Sequence, residues 1–366
     1  MVARVNRNTM ANKMLTKYFE SAKKRKYIIP EDTITREIDD IFSSWATGFR
    51  EVLLVVVIAR LLDSNYKASE EFYSCSPRAL YEGPIRKVLL QYNVPHGLSG
   101  PLNVAKATKG INTEWASQRR PKGIASKTVE IINLIERLNN KELKNLAIYI
   151  CSKFLDEATR VEELKIEKDP KANLCWLMFA CKSLIENTPD RGNTPQKIVG
   201  YLLEVFHEIA ESNISVNGHK DAASTTNTSS KKPGDIVEIY SDGEILNVYE
   251  ITVKPFNNQR IEESYSSISS YFKEKDTYFS NVIVICRSQD CKDFFGKDAG
   301  ERFYLGLKEY KSITYHFINI DDWVSMELMR LGEKGRKLFY IRLNDYISET
   351  NTSENVKIIW NSLNKK

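Results

Sequence analysis

The chain has 366 residues, 42% of them hydrophobic and 28% charged, a balance that supports a substantial core and excludes global disorder. Its 53 Lys and Arg against 48 Asp and Glu leave a formal net charge of +5, which permits a nucleic-acid surface without requiring one, because local clustering matters more than the sum. The six cysteines form no CxxC pair and the four histidines are too sparse for an obvious zinc site, so free thiols in a reducing compartment are expected.

From residue 1 to about 190 the pattern is mostly helical. TREIDDIFSSWATGFREVLLVVVIARLLD repeats apolar residues at helical spacing, and VEIINLIERL, LKNLAIYICSKFLDEA and LCWLMFACKSLIE continue it. The most apolar stretch, VLLVVVIA from Val52 to Ala59, is too short to cross a bilayer and is flanked by Arg50, Glu51 and Arg60, which predicts a core helix. No secretory apolar region follows the basic N-terminal residues, so a cytoplasmic protein without a membrane partner is expected. KKRK at 23–26 is a small positive patch, read either as a phosphate contact or as an exposed turn. Residues 74–123 break the helical pattern with glycines and prolines. Arg78, Arg86, Lys87, Lys106, Lys109, Arg119, Arg120 and Lys122 there are candidate DNA-backbone contacts, and Asn103, Asn112, Gln118 and Arg119 have the chemistry for base edges. The competing reading is a solvated, loop-rich surface.

The grammar changes after TPDRGNTPQ. A helix is predicted over TPQKIVGYLLEVFHEIAESN, then a flexible loop over 213–232. DIVEIY, SDGE and ILNVYEITVK predict a strand, a turn and a strand; NNQRIEESYSSISSYFKEK predicts a helix and FSNVIVIC a buried strand. ERFYLGLKEYKS is expected to hold another helix, ITYHFINI a strand, and WVSMELMRLGEKGRKLF a helix. Residues 191–346 therefore predict a mixed β-sheet core flanked by helices, α/β or α+β, preceded by a largely helical domain over 1–190. Residues 347–366 are expected to be an extension, a small strand or a tail.

Within PGDIVEIYSDGEILNVYEITVK, Asp235 opens one predicted strand, while Glu250, Thr252 and Lys254 share a face of the next. A favourable hairpin register brings the two carboxylates together, making Asp235 and Glu250 candidate ligands for Mg2+. Lys254 is then placed to orient water or to stabilise charge on phosphorus, with Thr252 as a secondary contributor. The competing reading is a surface ion pair and a turn cap.

This stretch resembles the PD-(D/E)XK nuclease superfamily, most closely the type II restriction endonucleases, over roughly residues 195–320. PGD is similar to the proline–aspartate element with Gly234 intervening. In EITVK the acidic-equivalent position is Thr252, with Glu250 as a displaced acid two residues earlier and Lys254 as the lysine. The resemblance also implies a further acid from the preceding helix, where LLEVFHEIAE offers Glu204, Glu208 and Glu211; Glu208 or Glu211 is the candidate metal ligand. Glu238 has the wrong strand parity, and His207 is expected to be structural or exposed. The implied function is Mg2+-dependent cleavage of a short double-stranded DNA sequence by a homodimer, functionally paired with a DNA methyltransferase. A structure-selective repair or recombination nuclease, an inactive DNA-binding protein and a helical interaction scaffold are the alternatives.

Overall fold

In the computed structural model the apolar run at 52–59 lies within the helix Gly48–Leu62, where every residue from Gly48 to Ala59 is buried. A helix apolar on nearly all sides belongs in the middle of other helices. Val2–Lys23, Asp32–Ser43, Lys122–Arg137 and Asn140–Glu163 pack around it. Two charged residues of this central helix are buried with it. Arg50 pairs with Glu157 and donates to the Pro95 carbonyl at 3.1 Å, and Glu51 accepts from the Tyr81 hydroxyl at 3.1 Å and from Gly97 N–H. The loop-rich interval contains four short α-helices, Pro77–Leu80, Arg86–Gln91, Leu102–Ala105 and Thr113–Ser117.

The structure describes residues 2–164, 170–221, 223, 232–295 and 303–365, and the chain forms two compact units, Met1–Glu163 and Leu164–Lys366. The division falls earlier than the expected boundary near residue 190. Leu174–Asn187 is a helix, as its periodicity predicts, but it buries Leu177, Ala180, Cys181, Leu184 and Ile185 in the core of the second unit. Periodicity identifies a helix without saying which core receives it. No helix among the described residues is long and apolar enough to cross a membrane.

The second unit is built on a six-stranded mixed sheet in the order β1–β2–β3–β4–β6–β5. The strands are β1 (Ile214–Asn217), β2 (Ile236–Tyr240), β3 (Ile245–Thr252), β4 (Asn281–Cys286), β5 (Tyr304–Tyr310) and β6 (Ile313–Asn319). β1, β2 and β3 form an antiparallel meander, β4 is parallel to both β3 and β6, and β5 returns antiparallel to β6. The turn between β2 and β3 places Gly243 at φ 93°, a conformation that favours glycine. Ile236, Tyr249, Ile251 and Ile285 face a core shared with Asn193–Ile209, Ile320–Arg330 and Gly332–Ser348. Val237, Val248, Val284, Tyr315 and Phe317 face the opposite way, against the helix Asn258–Lys275.

Three expectations are corrected here. The stretch 213–232 is not wholly a loop: Ile214–Asn217 pairs with β2 from Ile214↔Tyr240 to Asn217↔Val237, satisfying an edge that would otherwise be open. Residues 222 and 224–231 of that stretch lie outside the described residues. The described residues of ERFYLGLKEYKS, from Phe303 on, supply a strand where a helix was expected, because Lys311 at φ 55° turns Tyr304–Tyr310 back onto β6 as a hairpin. The C-terminal residues are neither strand nor tail. Glu354–Lys365 is a helix whose Val356, Trp360 and Leu363 enter the core beside Trp176 and Tyr340. Lys357, 1% exposed, donates to the Ile347 and Glu349 carbonyls at 2.6 and 2.5 Å, closing the end of the preceding helix.

Trp360 is 1% exposed and its Nε1 donates to Asn344 at 2.8 Å. Trp360→Ala should therefore cost about 3–5 kcal/mol, measured as a lower urea midpoint for the full chain; a midpoint unchanged from wild type would return the C-terminal residues to the status of an appendage.

Candidate active site

The register of the β2–β3 hairpin decides the geometry. Ile236 pairs with Tyr249 and Val237 with Val248, so one step earlier Asp235 stands across from Glu250. Asp235 N–H donates to the Tyr249 carbonyl at 2.9 Å, and its Oδ2 accepts from Ile251 N–H at 2.9 Å. Asp235 thus brackets Glu250 from both sides, and the two carboxyl groups are hydrogen-bonded to each other.

Two glycines allow this approach. At Gly234 a Cβ would sit 2.6 Å from Val248 Cγ1 and 2.8 Å from the Tyr249 carbonyl oxygen. At Gly218, with φ +106°, it would sit 2.1 Å from the Asp235 carbonyl oxygen. The glycine between Pro233 and Asp235 is therefore a spatial requirement, and the acid opens its strand in contact with both neighbouring strands.

Glu250 is 4% exposed. Its Oε1 accepts from Ser264 Oγ at 2.9 Å, and Tyr315 hydroxyl reaches Ser264 Oγ at 3.5 Å. Burial, then the adjacent Asp235, pushes the Glu250 pKa up to about 8. Asp235 is also raised by burial, with the Ile251 N–H, the Arg260 guanidinium and the Glu250 bond pulling back. Two carboxyls this close cannot both be charged in a dry setting, so the pair holds one proton between them. All the side-chain donors here are oxygens, the chemistry of a hard divalent cation such as Mg2+. Among the described residues no three His, Cys, Asp or Glu side chains group for a metal; the two carboxylates, with water and phosphate oxygens, would form the coordination shell.

Lys254 is not on the strand. β3 ends at Thr252, whose hydroxyl accepts from Lys254 N–H at 3.1 Å and donates to the Lys254 carbonyl at 3.0 Å. Pro255 follows and the Val253 carbonyl accepts from Arg287 at 2.5 Å, so the chain turns and the parity argument stops at Thr252. Lys254 is exposed, and its ammonium forms no ion pair among the described residues. A cation that both acids sense is Arg260, in the first turn of Asn258–Lys275: its Nη1 donates to Thr252 Oγ1 at 3.0 Å. Arg260 and Ser264 lie one helical turn apart on the helix that covers the acids. Asn257, which caps that helix by accepting from Arg260 N–H at 3.1 Å, was the sequence signal that could have located them.

The preceding helix does not complete the site. Asn193–Ile209 lies on the other face of the sheet, with Glu204 held by Lys220 at 2.8 Å and by Arg342, and Glu208 also held by Arg342. Glu211 is exposed at φ 50° beyond the helix end. Neither Glu208 nor Glu211 reaches the Asp235–Glu250 pair. Glu238 also faces away, accepting from Tyr249 hydroxyl at 2.8 Å, from Asn247 at 2.7 Å and sharing a 2.6 Å bond with His207 Nε2. His207 Nδ1 lies 2.7 Å from Ser212 Oγ, so this histidine ties helix to sheet.

In the first unit, Arg78, Lys87, Asn103, Lys106, Lys109, Gln118, Arg120 and Lys122 are exposed, while Arg86, Asn112 and Arg119 are half-buried. Asn112 belongs to the fold: it caps Thr113–Ser117 by accepting from Trp115 N–H at 3.1 Å and donates to the Ser69 carbonyl at 3.4 Å. Arg78 lies 3.5 Å from Glu82. Of the other basic groups, Arg86 and Lys87 open the short helix Arg86–Gln91, Lys122 opens Lys122–Arg137, and Lys106, Lys109, Arg119 and Arg120 lie between helices.

A carboxyl whose folded pKa is raised adds stability below its ordinary value near 4.5 and loses it as pH climbs towards about 8. Glu250→Gln mimics the protonated acid and should remove that loss. In chelator the variant should be more stable than wild type at pH 8–9 by a few kcal/mol, at about 1.4 kcal/mol per pKa unit, and equal to it at pH 4; parallel melting curves at all pH values would show that Glu250 is not held protonated. No protein-family model matches this chain, and no curated protein matches it.

Proposed function

We propose that the second unit hydrolyses phosphodiester bonds in double-stranded DNA with Mg2+, as a sequence-specific endonuclease of the restriction type. The observation that carries this reading is the Asp235–Glu250 pair, directly opposed at one end of a mixed sheet with an arginine beside it. An ordinary surface ion pair needs no buried pair of like-charged groups, and such pairs concentrate at functional sites. The strand order, an antiparallel meander followed by a covering helix and a parallel strand, is consistent with the family resemblance of this region.

In hydrolysis a water oxygen gives up a proton to solvent and forms a bond to phosphorus, one phosphorus–oxygen ester bond breaks, and the leaving oxygen takes a proton from solvent. Mg2+ supplies Lewis acidity at the phosphate and lowers the pKa of bound water. Asp235 and Glu250 would hold the ion. Releasing the proton they share makes both available as anionic ligands, and Ser264 keeps Glu250 aimed at Asp235. The exposed Lys87, Lys106, Lys109, Arg120 and Lys122 are candidates for backbone phosphates. A homodimer cutting both strands, and a methyltransferase protecting host sites, follow from the same proposal.

The test is to incubate the purified full chain with mixed-sequence plasmid DNA, with and without Mg2+, and to map every cut end. Discrete ends at one duplex sequence, only with Mg2+, are expected. Cutting confined to branched or single-stranded substrates would move the reading to a repair nuclease, and Mg2+-independent binding without cutting to an inactive DNA-binding protein. Asp235→Asn, which preserves size, should lower cleavage about 100-fold or more, because several kcal/mol of charge stabilisation go with the ion, while the melting temperature stays near wild type.

A further inference from the structure

Thr252 lies two residues beyond Glu250 on the same strand face and ends β3, so Lys254 falls outside the strand and the acids have no strand-borne cation. The structure fills that place from the neighbouring helix. Arg260 Nη1 donates to Thr252 Oγ1 at 3.0 Å, and the guanidinium carbon stands 5.2 Å over the Phe256 ring. Both supports are fixed: Phe256 is 1% exposed, with its N–H donating to the Asp290 carbonyl at 2.7 Å, and Thr252 is 4% exposed. The Asn257 cap sets where the helix starts and hence where Arg260 projects.

A guanidinium carries five N–H donors in a planar fork. Among the described residues, the one side-chain bond that Arg260 makes is to Thr252. Both carboxyl groups sense its charge, which favours their ionised forms, yet it forms no ion pair with either. A half-buried arginine held in one orientation, beside two acids but not neutralised by them, is poised for a third anionic group.

We propose that Arg260 is the phosphate-binding cation of this site, donating its free N–H groups to a non-bridging oxygen of the phosphodiester held at Asp235 and Glu250, with Thr252 and Phe256 fixing its orientation. This rests on the nuclease reading above. It assigns to Arg260 the role that sequence spacing gives to Lys254. A fork suits a tetrahedral phosphate by two-point contact, and a cation held in place acts on developing charge without reorganising.

Four full-length variants test it: Arg260→Ala, Arg260→Lys, Lys254→Ala, and Thr252→Lys combined with Arg260→Ala. Two quantities are read, single-turnover cleavage of a duplex containing the mapped site in Mg2+, and binding of the same duplex with Ca2+ in place of Mg2+. Arg260→Ala should slow cleavage about 100-fold, the loss typical of one charge-stabilising donor, with duplex binding weakened far less. Arg260→Lys should recover part of the rate. Lysine at 252 should restore cleavage to the Arg260→Ala background, because it returns a cation to the same face; a merely structural arginine would not be replaced in this way. Cleavage by Arg260→Ala within about threefold of wild type would overturn the proposal, as would loss of the rate in Lys254→Ala alone. If Arg260→Ala fails to fold, rescue by Arg260→Lys and by the double variant decides. Loss of cleavage in Asp235→Asn but not in Arg260→Ala sinks this assignment alone; wild-type protein that cuts no DNA sinks the nuclease reading beneath it.

Discussion

Two carboxyl groups pressed together at the end of a sheet impose the constraint around which this region of the second unit is arranged. Asp235 and Glu250 are opposed across the β2–β3 hairpin and share a hydrogen bond, so in the absence of a cation one of them must carry a proton. Burying such a pair for stability alone is a poor strategy, because an apolar pair of similar volume would avoid the desolvation cost. The surroundings nonetheless hold the pair in place. Gly218 and Gly234 let the backbone close around Asp235, Ile251 N–H anchors its carboxylate, and Ser264 fixes Glu250. Structure is organised to keep the acids adjacent, not to keep them apart.

The sheet divides its polar residues by face, and the two sets have different fates. On one face Glu238 satisfies its oxygens with His207, Asn247 and Tyr249, a closed network that ties Asn193–Ile209 to the hairpin. On the other face Asp235, Glu250, Thr252, Arg260 and Ser264 form a network whose charge is left open to completion. A one-residue change of register would exchange these sets. The same division explains why the acids of the preceding helix do not contribute: Glu204 and Glu208 are spent on Arg342, on the face that Glu238 occupies.

Period-2 alternation made β2, β3 and β6 readable, and the 3.6-residue period made most helices readable, because each signal reflects burial of one face, while β4 was readable as a continuous apolar run. The opposition of Asp235 to Glu250 was not legible: counted from the turn at Ser241–Glu244, with Ile239 across from Ile245, Asp235 would face Tyr249, and an irregularity between Glu238 and Ile239 shifts the pairing by one residue to Glu250. What periodicity could not supply was the end of a strand. Glu250, Thr252 and Lys254 share parity, but Thr252 Oγ1 bonds to the backbone of Lys254 and Pro255 follows, so the alternation ends before the lysine. Asn257 marks where the helix carrying Arg260 begins, but the proximity of Arg260 to Thr252 was not legible, because it depends on how that helix crosses the sheet. Likewise YLGLKEY carries enough alternation for a strand and enough length for part of a helix, and its antiparallel partner β6 decided the outcome.

The position of the site follows from the parallel pairing. β3, β4 and β6 run in the same direction, so their carboxyl ends, Thr252, Cys286 and Asn319, lie together at one end of the sheet. Parallel strands need crossover connections, and a helix that returns the chain must begin at that same end. Asn258–Lys275, between β3 and β4, does so, and Ile320–Arg330 starts at the same end after the last strand; they are capped by Asn257 and Asn319. Both caps satisfy backbone N–H groups that would otherwise be exposed, and both leave the positive end of a helix near the strand ends. Asp235 joins this end from the opposite direction, because β2 is antiparallel and starts where β3 stops. Acids from the hairpin and a cation from the first turn of a crossover helix therefore meet without any long-range coincidence. The topology that buries the strands also brings them together.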